Sequence, residues 1–408
     1  MTVTAGPTAP ENRMLQLDVL RGLAILGILM VNAPAFAMPA EILFVSPELS
    51  PLPFEPHDQR IWWTMRTFFE QKFINLFSLL FGVSLFLVGG ERDDPVREPV
   101  LVRRLIWLAV FGSLHGALIW FGDILLHYAA IGFLMFLFRS WPARKLITFG
   151  SVWIVASCLI YLALHGAMEV ASAEMMERSA RPLVRAALAD YRGDLGQVQF
   201  ANVSDWAPNA LGALFVQGPR TLGLMLLGLG LYKAGVLGGR APLGVYLAAL
   251  AAGAVCLLAI GWAARAELLG GPGAGMLGAP NSVLSPLVTL GYVAGVLLLL
   301  KSGAGRMVGR VLAPVGRMAF TNYLTQSLIM TTIFYGARGF GWYGRLDWAD
   351  WIWIVLAIWA VQLVWSPLWL SRFTMGPFEW LWRRLSYGRD IPLRRRDALE
   401  RATVPAAS

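Results

Sequence analysis

The stretch LQLDVLRGLAILGILMVNAPAFAM, residues 15–38, decides the fold class. It is an apolar run of 24 residues with two charges near its start, and a helix needs roughly 20 such residues to cross a bilayer. It is too long for the apolar core of a cleavable signal, and a polar tail precedes it, so it reads as an anchor. Nine more apolar runs follow: Trp63–Leu87, Leu105–Phe121, Gly122–Phe138, Leu146–Leu164, Ala210–Leu231, Ala241–Ala264, Val283–Leu300, Ala319–Tyr335 and Trp351–Leu370. The expectation is an all-α, polytopic membrane protein of about ten transmembrane helices. Its domain spans 15–371, with an N-terminal tail at 1–14 and a basic tail at 372–408.

Composition agrees. Of 408 residues, 57% are hydrophobic and 14% are charged, against about 25% charged in soluble domains. The net charge of +9 sits in short loops between apolar runs, where membrane proteins keep it, which argues against nucleic acid as a partner. With the N-terminus inside, ten spans put 22 Lys and Arg on the inner side and 8 on the outer side. That bias places both termini in the cytoplasm. Tryptophans near the run ends, such as Trp62–Trp63 and Trp380–Trp382, fit an interfacial belt. Cys158 and Cys256 lie inside apolar runs and form no disulfide framework or metal spacing.

Two segments stand apart. Residues 167–207 carry Glu169, Glu174, Glu177, Arg178, Arg181 and Arg185 at helical spacing, which reads as a surface helix serving as a cap or a substrate lid. Residues 268–280 are too rich in Gly and Pro for a helix and carry no phosphate-loop signature.

Ionisable groups inside spans are costly and usually face a protein interior or a wet cavity. Asp18 and Arg21 are three apart on the first helix and can pair, or can bind an anionic ligand. Asn32, near its far end, is either interhelical glue or a site residue. On the second run Arg66 and Glu70 share a face. In a regular helix Lys72 is displaced from that face, about 200° around from Glu70, so it needs its own partner or an aqueous cavity. The stretch FGSLHGALIWFGDILLHYAAIG, residues 111–132, reads as a hairpin turning at Phe121–Gly122–Asp123. Two histidines, His115 and His127, and the carboxylate of Asp123 surround its turn, where Asp123 can cap the following helix and His127, four residues on, shares its face. That grouping suits proton transfer and matches no usual zinc motif. His57 and Asp58 precede the second run, where Asp58 can cap a helix. Arg317, Asn322, Gln326 and Ser327 open the ninth run, and 322 and 326 share a face that meets another helix or a substrate cavity.

These residues carry a resemblance. The stretches LDVLRGLAILGILMVN, FINLFSLLFGVSLFL, FGSLHGALIWFGDILLHYAAIG, GRMAFTNYLTQSLIMTTIFYG and FTMGPFEWLWRRLSYG resemble the YeiB family of bacterial membrane proteins, whose C-terminal half is catalogued as domain of unknown function 418. The opening helix also looks like that of the heparan-alpha-glucosaminide N-acetyltransferases, in a proposed transmembrane acyltransferase superfamily. That likeness implies transfer of an acyl group from acyl-CoA, a co-substrate, to a hydroxyl or amine acceptor. It places Asn32 at a catalytic asparagine, with His57 or His115 as the histidine and Asp58 or Asp123 orienting it. Arg103 and Arg104 would then meet CoA phosphates. The second expectation is a transporter for a small solute, motivated by Lys72, Arg66, Glu70 and Arg220 inside spans. A scaffold without chemistry is the third. The lipid bilayer, a small-molecule or glycan acceptor, and a second copy of the chain are the partners to expect.

Overall fold

The computed structural model describes residues 14–44, 49–170, 173–269 and 277–397. Among them regular structure is helical, apart from one bridge pairing Phe373 with Arg394. The helices are α1 (Leu15–Ala37), α2 (Ala40–Phe44), α3 (Pro56–Thr64), α4 (Lys72–Gly89), α5 (Glu98–Leu118), α6 (Leu125–Phe136), α7 (Ala143–Val170) and α8 (Ala173–Arg192). They continue with α9 (Leu195–Val216), α10 (Gly218–Lys233), α11 (Leu243–Leu268), α12 (Ala279–Leu299), α13 (Gly303–Arg317), α14 (Ala319–Phe334), α15 (Trp348–Arg372) and α16 (Pro377–Tyr387).

Helix is the form these apolar runs must take, because a backbone in lipid has only its own segment to bond with. The outward faces are apolar: Val155 and Leu159 on α7, Leu258 and Trp262 on α11, and Val361 and Leu368 on α15 all stand at least 60% exposed. This is a multi-helix membrane protein. Seven helices are long and apolar enough to cross a bilayer, taking Pro56–Gly89 as one, and the bent pair α9–α10 makes an eighth if it is a single span.

The expected fourth and ninth spans come out shorter, as α6 with 12 residues and α14 with 16. At 1.5 Å per residue they reach about 18 and 24 Å, short of the roughly 30 Å hydrocarbon core. Helix length supports seven or eight crossings where run length pointed to ten. The apolar run of 122–138 loses its start to the turn around Asp123. The sixth run bends by 56° at Gln217, beside Pro219, which has no N–H to continue the ladder.

The second run is also not one helix. A π turn at Met65–Phe69 ends at Glu70, and Gln71 adopts φ +67° before α4 begins. The wheel that set Lys72 apart from Arg66 therefore does not apply. Lys72 is fully buried, and its Nζ donates to the Arg66 carbonyl at 2.9 Å and to Asn281 Oδ1 at 2.5 Å. Asn281 donates in turn to Glu70, and Arg66 bridges Glu70 and Glu267, both at 3.1 Å.

α1 is central. At Gly22 and Gly316 it crosses α13 so closely that backbone meets backbone, leaving no room for a Cβ. Its far end meets the segment before α15, where Gly344 N donates to Ala37 O. Of the expected tryptophan belt, Trp62, Trp120, Trp348 and Trp351 are buried in the core at that end, while Trp262 and Trp353 face outward. The expected surface helix of 167–207 is divided among the end of α7, α8 and the start of α9. The side chains of Glu169, Glu174 and Glu177 lie outside the described residues, as do 270–276 of the Gly-rich loop and 398–408 of the tail.

Candidate functional site

The α5–α6 hairpin forms as the sequence predicts. His115 Nδ1 lies 2.9 Å from Asp123 Oδ1, with both side chains buried. Asp123 Oδ2 accepts from the Leu126 amide at 2.9 Å, so the same carboxylate ties down the first turn of α6. One side chain thereby fixes both the helix start and the histidine. The other imidazole nitrogen, Nε2, is buried with no hydrogen-bond partner. Tyr323, on α14, packs on this ring with centroids 5.2 Å apart, and its hydroxyl is buried. His127 turns away, with Nε2 2.9 Å from Thr221 Oγ1 on α10.

Beside the hairpin lies a cavity of about 260 Å³ between α1, α4, α5, α6, α10, α13, α14 and α16. Its inner end is walled by Phe77, Phe81, Ile124, Leu125, Tyr128 and Tyr323. Its other end carries Arg21, Arg104, Arg317 and Arg383, with only Asp18 and Glu379 as acids. Arg21 is held by Asp18 at 3.0 Å and by Ser84 Oγ at 2.8 Å. Arg104 stacks over the Trp382 ring at 4.0 Å, while Trp382 Nε1 donates to the Arg104 carbonyl. Glu379 accepts from the amides of Phe320 and Thr321 and from Thr321 Oγ1, capping α14 from another helix. Burial raises its carboxyl above the ordinary range, against the pull of Thr321 and these amides.

The expected site residues thus divide. His115, Asp123, Asp18, Arg21, Arg104 and Arg317 gather in or beside the cavity. Arg103, next to Arg104 on α5, is exposed and does not line the cavity. Asn322 and Gln326 are interhelical glue: Asn322 Nδ2 donates to Ser366 Oγ at 3.1 Å and Gln326 Nε2 to Gln362 Oε1 at 2.8 Å, both on α15. Lys72 belongs to the separate charge network described above. Asn32 is half-buried on α1, off the cavity, one turn before Phe36, which stacks on Trp120 at 4.0 Å. His57 and Asp58 sit at the start of α3 and also lie off the cavity.

Sequence reasoning missed Tyr323, Glu379, Trp382 and Arg383. The last three fall in a stretch read by composition as a tail. The available signal was amphipathic: in PFEWLWRRLSY polar and aromatic residues alternate at helical spacing, and α16 packs back on α5 and α14.

A family model described as a protein of unknown function, DUF418, matches residues 233–389. The chain is 32% identical over 400 residues to a Bacillus subtilis (strain 168) protein, Uncharacterized protein YxaH, covering 93% of this chain and 96% of that one. It is 33% identical over 391 residues to Uncharacterized protein YeiB of Escherichia coli (strain K12), covering 92% and 96%. No solved structure matches. With more than nine-tenths of its length aligned to both relatives, this chain belongs to the YeiB family of DUF418 membrane proteins.

Proposed function

We propose that this protein is an acyltransferase of the bacterial inner membrane, moving an acyl group from acyl-CoA to a hydroxyl or amine acceptor. The observation that carries this reading is one cavity with four arginines at one end and the His115-backed wall at the other. Arg21, Arg104, Arg317 and Arg383 suit the phosphates of CoA, and the apolar interior suits a pantetheine arm and thioester. His115 Nε2 takes the proton from the acceptor as its oxygen or nitrogen attacks the thioester carbonyl. Asp123 holds the ring by Nδ1 and stabilises the imidazolium. The tetrahedral intermediate then expels the CoA sulfur, which takes that proton. Tyr323, packed on the imidazole and lining the cavity, is the donor suited to the developing oxyanion. Asn32, off the cavity, is left to the acceptor side.

The test uses the full chain purified in detergent. Acetyl-CoA binding by calorimetry, with slow thioester hydrolysis abolished by His115→Ala, supports the reading. No binding at millimolar CoA to folded protein overturns it.

A second reading, a small-solute transporter, has one specific observation in its favour. Two interrupted helices meet where Arg220, in the first turn of α10, donates to Gln71 Oε1 at the break before α4. Broken helices around buried charge are how transporters build midplane sites. Solute uptake into proteoliposomes, abolished by Lys72→Ala, would favour it over acyl transfer.

A further inference from the structure

We propose that His57, Asp58 and Asp347 bind a divalent transition-metal ion at the end of the bundle opposite the arginine cavity. One imidazole nitrogen and one oxygen from each carboxylate lie within 4.8 Å of one another. His57 Nε2 stands 3.7 Å from Asp58 Oδ1 and 3.8 Å from Asp347 Oδ2. Both separations exceed the roughly 3.2 Å limit of a good N–H···O bond. Both approach the edge of a ligand tetrahedron, about 3.3–3.5 Å for bonds of about 2.0–2.1 Å. The three groups converge at separations longer than direct hydrogen bonds.

The carboxylates are also held as ligands are held. Asp58 Oδ2 accepts from the Glu55 amide at 3.0 Å and Oδ1 from the Ala349 amide at 3.1 Å. Asp347 Oδ1 accepts from the Asp350 amide at 2.8 Å, which leaves Oδ2 on the His57 side. Such outer hydrogen bonds orient ligating carboxylates, and each oxygen keeps a second lone pair. The two helix N-termini contribute about half a positive charge each, so two carboxylates still leave the site negative. His57 is 46% exposed and Asp347 30%, which opens a path for the ion, while Asp58 is fully buried. A bound ion would tie the segment before the second span to the start of the last. Three protein ligands leave a fourth position for water.

The site shares no residue with the cavity, so its test is independent of acyl transfer. The full chain in detergent, freed of metal by EDTA, is titrated with zinc chloride by calorimetry and followed by thermal unfolding. One saturable zinc per chain is expected, with a Tm increase that EDTA reverses. His57→Ala should weaken it at least 10-fold. Asp347→Asn should do the same while keeping the α15 cap through its remaining oxygen. No saturable zinc in the wild type, or equal affinity and stoichiometry in both variants, overturns the proposal.

Discussion

His115 and Asp123 are joined at 2.9 Å across a single tight hairpin, and the carboxylate oxygen not used by the histidine caps the helix that follows. The pair is therefore preorganised: the turn that makes α6 also fixes the imidazole ring through Nδ1 and leaves Nε2 without a hydrogen-bond partner.

Asp123→Asn separates these roles. The amide oxygen still caps α6, so the fold survives. The charge that stabilises the imidazolium is gone. Thioester hydrolysis in single turnover should fall by about 10²-fold or more, with acetyl-CoA affinity unchanged by calorimetry.

The arginine end should affect binding and not chemistry. Arg21→Gln removes one charge-assisted contact, worth about 1.5–3 kcal/mol. KM for acetyl-CoA should rise about 10-fold or more with kcat held, and salt should weaken wild-type binding more than the variant's. Arg103→Gln, exposed next to Arg104 and off the cavity, should leave both parameters alone.

The crossing of α1 and α13 depends on Gly22 and Gly316, whose ideal Cβ positions fall against the Leu312 and Asp18 carbonyls. Gly316→Val must push the helices apart, at a cost of about 1–3 kcal/mol. The shift also moves Arg317 away from Asp18 and Arg21. A lower Tm in detergent together with lost CoA binding is the expected outcome.

Glu379 makes a pH prediction. Its folded carboxyl titrates above the ordinary 4.5 because it is buried. The folded state therefore favours the protonated form. That contribution is full below about 4.5 and declines as pH rises through the folded value. Glu379→Gln keeps acceptors for Phe320 and Thr321 without the buried charge. It should match or exceed the wild-type Tm at neutral pH and flatten the decline above pH 4.5. Glu379→Ala should lose about 0.5–2 kcal/mol with the cap.

Several features were legible before any coordinates. Apolar run length identified the membrane class, and two histidines and a carboxylate around one turn marked the hairpin, while the structure made His115 the partner of Asp123 and turned His127 to Thr221. Asp18–Arg21 and Arg66–Glu70 followed from helical spacing and form as expected. Other readings left open what only packing decides. The Lys72 wheel assumed a regular helix, and a π turn with a left-handed Gln71 rotated the register. Asn322 and Gln326 share a face, but periodicity says nothing about what lies opposite, and that is α15.

The sequence by itself determined the solvent of this protein, its helical content and the hairpin that positions one histidine, because run length and local spacing are properties of one segment. Only the tertiary structure decided which polar groups share a space. Arg21, Arg104, Arg317 and Arg383 come from four helices, and Asp347 reaches His57 from the far end of the chain. In a membrane a buried charge needs a partner or a wet cavity, and helix packing chooses which neighbours supply it.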